Sequence, residues 1–62
     1  MKRKEFLKHL NKNECVLLRE GANHSWFVNT QTGLKSAVPR HPEIKDLLAN
    51  AICKQLGIPK IK

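Results

Sequence analysis

Acidic residues are scarce in this 62-residue chain: five Asp and Glu stand against twelve Lys and Arg, a formal charge of +7. That shortage removes a charge-balanced surface and leaves a strong positive field. The field suits a polyanion such as RNA or DNA, or an acidic protein. A coat of solvated lysines gives the same count, so charge alone does not choose. Cysteine is also rare. Cys15 and Cys53 lack a CxxC spacing, and with His24 and His41 they are scattered without a close ligand pair, which argues against a zinc site. Neither thiol has a local activating neighbourhood that marks a nucleophile. Only three glycines occur, and no P-loop, dinucleotide fingerprint or GxSxG elbow is built from them, so no cofactor is expected. No apolar run approaches the ~18 residues that span a bilayer. The basic start MKRKEFLKHL is broken by polar residues before a signal-like apolar stretch forms. The expectation is a cytoplasmic protein with no membrane contact and two reduced, core or half-core thiols.

What is present fits one domain over residues 1–62, with about 59–62 as a loosely held tail. A domain this small buries only about 60% of the surface its unfolded chain exposes, and it is too small to enclose a deep pocket. A large substrate lying across the surface is the better fit. KEFLKHLNKN predicts an amphipathic helix over about 3–12, with Phe6, Leu7 and Leu10 on one stripe. ECVLLRE is short and apolar and predicts a strand. Gly21, Ala22 and Asn23 make a turn, with Gly and Asn tolerant of positive φ. HSWFVN is aromatic and β-branched, a second strand. TQTG is a hairpin connection, and LKSAVP is a third strand that Pro39 ends. HPEIKDLLANAICKQLG then predicts a helix with Pro42 at its first position. Ile44, Leu47, Leu48, Ala51, Ile52 and Leu56 form its stripe, and Gly57 is its stop. The order is αβββα, an α+β fold in which both helices cover one face of a three-stranded antiparallel sheet. The other face stays open.

The candidate chemistry rests on histidine and basic residues. His9, among lysines, suits a plain surface position. His41 suits the cap or start of the last helix. His24 opens the second strand directly after a glycine turn: it is either a polar strand end or a proton-transfer group on a rigid mount. A basic surface, an open sheet and one poised imidazole fit metal-independent RNA cleavage, in which the ribose 2′-hydroxyl attacks its neighbouring phosphate. They fit equally a non-catalytic reader of double-stranded RNA, or a module that docks a protein. Lys35 and Arg40 are the first candidates for holding phosphates, with Arg19 behind them. Trp26 either stacks on a base or simply packs.

KRKEFLKHLNKN, LLREGANHSWFVN and VPRHPEIKDLLANAICKQLGI together resemble the HicA (YcfA-like) toxins of prokaryotic toxin–antitoxin pairs. The likeness runs over nearly the whole chain, and its specificity lies in combining Gly-x-x-His before a strand with VPRH before a helix. It implies a double-stranded-RNA-binding-domain-like αβββα fold and an mRNA interferase whose key histidine is His24. It also implies a HicB-type antitoxin that forms an inhibitory hetero-oligomer. One departure is Asn23, where a common form of the motif has serine. The second proton carrier stays open among His41, water and the RNA itself.

Overall fold

The computed structural model describes residues 1–61. Helix α1 runs Arg3–Lys12 and buries Phe6 and Leu10 completely, with Leu7 packed on the flank. Asn13 ends it: its backbone N–H is shared between the His9 and Leu10 carbonyls, and its side chain donates to His9 O at 2.8 Å. Glu14, at φ +66°, then turns the chain into the sheet.

Strands β1 (Cys15–Glu20), β2 (His24–Asn29) and β3 (Lys35–Pro39) pair antiparallel in the order β1-β2-β3. Ser25, Phe27 and Asn29 of β2, with Ser36 and Val38 of β3, point into the core. Strand geometry sends the alternate residues to the other side. That open side carries His24, Trp26 and Val28 from β2, and Lys35, Ala37 and Pro39 from β3. A bulge between Leu17 and Arg19 inserts Leu18 and sets Arg19 opposite Trp26. The β2–β3 turn closes on Gly33, at φ +82°, which donates to Asn29 O at 2.7 Å.

Helix α2 runs Asp46–Leu56 and differs from the sequence expectation at its start and in its buried face. Pro42 and Glu43 lie outside it, in an extended segment that bridges Lys2 and Glu43. There Arg3 N donates to Pro42 O at 2.9 Å and Ile44 N to Met1 O at 2.8 Å. Those groups are therefore spent on pairing with the start of the chain rather than on a helical turn. Ile44 is buried from this extended segment. With the helix starting four residues later than Pro42 implied, the buried stripe is Ala49, Ile52, Cys53 and Leu56, spaced i, i+3, i+4, i+7. Leu47, expected inside, is 85% exposed. The end agrees with expectation. Gly57, at φ +71°, supplies the left-handed position; its N–H donates to Lys54 O, and Ile58 N–H donates to Cys53 O.

Helix α1 lies against β1 and α2 against β3, so both cover the same sheet face. The tail makes contacts as far as Ile61: Ile58 and Ile61 pack on the core, and His9 Nε2 lies 2.7 Å from Pro59 O. Lys62 lies outside the described residues. Among the described residues no helix is long and apolar enough to cross a membrane.

Candidate nucleic-acid interface

Every polar side chain on the buried side of the sheet has a partner. Asn29 Nδ2 donates to Leu56 O at 2.8 Å, joining β2 to the end of α2, and its Oδ1 accepts Gln31 N at 2.9 Å. Ser36 Oγ donates to Gln55 Oε1 at 2.6 Å. Ser25 Oγ donates to Glu20 Oε1 at 2.7 Å and accepts from Arg3 Nη2 at 3.1 Å. Buried polar groups left without partners are costly, so these bonds fix the sheet on the helices.

The Ser25 bonds belong to a longer chain beneath and around His24. Arg3 Nε donates to Pro39 O at 2.9 Å, and Pro39 is the cross-strand partner of His24. On the other side Glu20 accepts from Arg40 Nε at 3.2 Å and Nη2 at 2.9 Å. Arg40 also donates to the carbonyls of Ala22, at 3.1 Å, and Gly21. The Ser25 hydroxyl, and after it the Arg40 guanidinium, hold the Glu20 carboxyl below its ordinary range. Gly21 N donates to His24 O at 2.8 Å and closes the turn. The turn needs no positive φ at Gly21 or Asn23. Its glycine serves close approach instead, because a Cβ there would stand 3.1 Å from the His24 carbonyl oxygen. The His24 backbone is thus clamped from several sides while its side chain is exposed.

The other expected site residues fall into two groups. Trp26 is half-buried on the open face, one outward position from His24, and the Arg19 guanidinium lies 5.5 Å from its ring centroid. That is a cation–π arrangement. Lys35 is exposed on the same face, opposite Val28. It is four residues of β2 away from His24, about 13 Å at a strand rise of about 3.3 Å per residue. Lys35 and His24 therefore meet different parts of any strand lying along the face. Arg40 is at the His24 end, but four of its five N–H donors go to Glu20 and the turn carbonyls. It is the clamp of the turn.

His41 is not a helix cap, because α2 begins at Asp46. It is exposed, and lines a shallow concavity with Ala22, Asn23 and Arg40 beside the turn that carries His24. Cys15 and Cys53 are buried and free. Burial first, and neighbouring Glu14 or Cys15 second, push their thiols up and away from the nucleophilic thiolate. Among the described residues no three His, Cys, Asp or Glu side chains gather as a metal site requires. The Arg3–Ser25–Glu20–Arg40 chain escapes a reading of motifs. Its one sequence signal is parity: Ser25 and Asn29 share alternation with Phe27, which marks them as inward-facing polar residues with partners elsewhere.

A family model described as the HicA toxin of bacterial toxin–antitoxin systems matches residues 3–58. The chain belongs to the HicA toxin family. It is accordingly a toxin of a toxin–antitoxin system, with an antitoxin as its partner. Comparisons with curated proteins and with solved structures give no match. In HicA terms, the matched span takes in the clamped turn, all three strands and both helices.

Proposed function

We propose that this HicA toxin is an endoribonuclease that cleaves mRNA in the cytoplasm and so stops translation, with His24 as a general acid/base. The observation that carries the reading is the exposed imidazole of His24 on an immobilised backbone, at the rim of an open sheet face on a chain of charge +7. Imidazole is the side chain best matched to proton transfer near neutral pH. In the reaction the 2′-hydroxyl oxygen bonds to the adjacent phosphorus as its proton is removed. The bond from phosphorus to the 5′-oxygen breaks, and that oxygen takes up a proton. The products are a 2′,3′-cyclic phosphate and a free 5′-hydroxyl. His24 serves one of the two transfers, and His41, which lines the concavity beside the turn that carries His24, is assigned the other. Lys35 holds a phosphate further along the strand, and Trp26 with Arg19 offers a platform for a base between them. A HicB-type antitoxin blocks the activity by covering this face.

The test incubates chelator-treated protein with a long single-stranded RNA and with DNA of the same sequence. The proposal expects cleavage of RNA alone, leaving cyclic phosphate ends. Salt-dependent RNA binding without cleavage would replace it with a non-catalytic RNA reader, since phosphate contacts release counterions whether or not chemistry follows.

A further inference from the structure

The two edges of the sheet are unlike. The β3 edge carries Lys35 and ends in Pro39, devices that discourage pairing with another strand. The β1 edge carries Val16, Leu17 and Leu18, exposed by 42%, 49% and 47%. Among the described residues no strand pairs with its outer side. Directly beneath it a shallow groove is lined by Leu7 and Asn11 of α1, Cys15, Val16 and Leu17 of β1, and Phe27 of β2. The bulge at Leu18 leaves residues 15–17, the half of β1 nearest that groove, as its longest uninterrupted stretch of regular strand. An unpaired edge and an apolar slot therefore coincide.

We propose that the β1 edge is a docking site for an extended acidic segment of a protein partner, added as a fourth strand with an apolar side chain in the groove below. Main-chain bonds to the edge supply attachment, and the slot selects the residue that faces it. Charge selects the acidic partner. Helical geometry places Lys4 and Lys8 one step round from Leu7 and Asn11, on the solvent rim of the groove, and both are exposed. Of the acids on either side of the edge, Glu20 is engaged by Ser25 and Arg40, which leaves Glu14. A second copy of this chain is a poorer occupant, because it brings another +7 and another lysine rim to the same edge. The inference deepens the partner side of the reading above and rests on the toxin having a protein antitoxin. It is independent of ribonuclease activity, and its test contains no RNA.

The probe is a labelled, acetylated nine-residue peptide with valine and threonine alternating over five positions and two glutamates at each end. Fluorescence anisotropy measures its binding to the full chain, and amide hydrogen exchange locates it. Saturable binding is expected, with slowed exchange in β1 and unchanged exchange in β3. Leu17→Lys on this exposed position should weaken binding at least tenfold, as should replacing both threonines of the peptide by proline. Lys8→Glu should weaken it several-fold, and more at low salt than at high. Circular dichroism of each variant checks that the fold is retained. Absence of saturable binding to the wild type, or equal binding of the proline peptide, would overturn the proposal. So would self-association in sedimentation equilibrium that Leu17→Lys abolishes, which would assign the edge to a second copy.

Discussion

The two faces of β2 divide the work of the protein between alternate residues. Ser25, Phe27 and Asn29 look inward and are bonded or packed; His24, Trp26 and Val28 look outward and are exposed or half-buried. A period of two is the strand's own geometry, so six consecutive residues serve two purposes without a second element. The rigidity around His24 is made on the side of the strand turned toward the helices. His24 keeps its side chain free because Ser25, beside it, ties the strand to Glu20 and Arg3.

Substitutions on the inward side should strike stability first. Phe6→Ala empties the fully buried centre under the sheet and is expected to lower stability by about 3–5 kcal/mol. In so small a domain that is enough to unfold much of the population, as urea titration followed by circular dichroism would show. Asn29→Ala removes the side-chain partners of Leu56 O and Gln31 N, an expected loss of about 1–3 kcal/mol in the same assay. A stability unchanged by Asn29→Ala would break the division of β2 at its far end.

Outward substitutions should leave folding nearly untouched and act on RNA. Trp26→Ala is expected to weaken RNA binding by about 1–3 kcal/mol if a base stacks there beside Arg19, read by filter binding. Lys35→Gln should weaken binding uniformly across sequences and lower the slope of log affinity against log salt by about one.

The smallest effect concerns acid pH. The Glu20 carboxyl is held low by Ser25 first and Arg40 second, so the folded state favours its ionised form. Its contribution is therefore fully present above the ordinary carboxylate range and is lost as pH falls through the lowered folded value. Thermal melts of wild type and Glu20→Gln should differ slightly at neutral pH and converge as the solution is acidified. A gap that widens toward low pH would contradict the assignment.

Much of this arrangement was legible in the residues. Alternation in HSWFVN and LKSAVP marks strands, and Gly57 marks the end of α2, because these signals are local. The start of α2 was not legible. Pro42 and Glu43 have the local features of a helix start, but pairing with Met1, Lys2 and Arg3 overrides them, and no window of neighbouring residues contains that contact. Arg40 illustrates the same limit at the site. Its charge and position near His24 suggest a phosphate ligand, whereas bonds to residues some twenty positions away make it the clamp of the turn. His24 becomes a candidate through its place after a glycine turn together with the family resemblance, and the structure sets it exposed at the start of β2.

The most direct test of the account is single-turnover RNA cleavage by His24→Ala under saturating protein, with RNA affinity and thermal stability measured on the same samples. General acid–base catalysis typically contributes about 10²–10⁴-fold. The expected result is a cleavage rate lower by at least about 100-fold, with affinity and stability close to wild type. A folded, RNA-bound His24→Ala that cleaves at the wild-type rate would contradict it and move the chemistry to another residue.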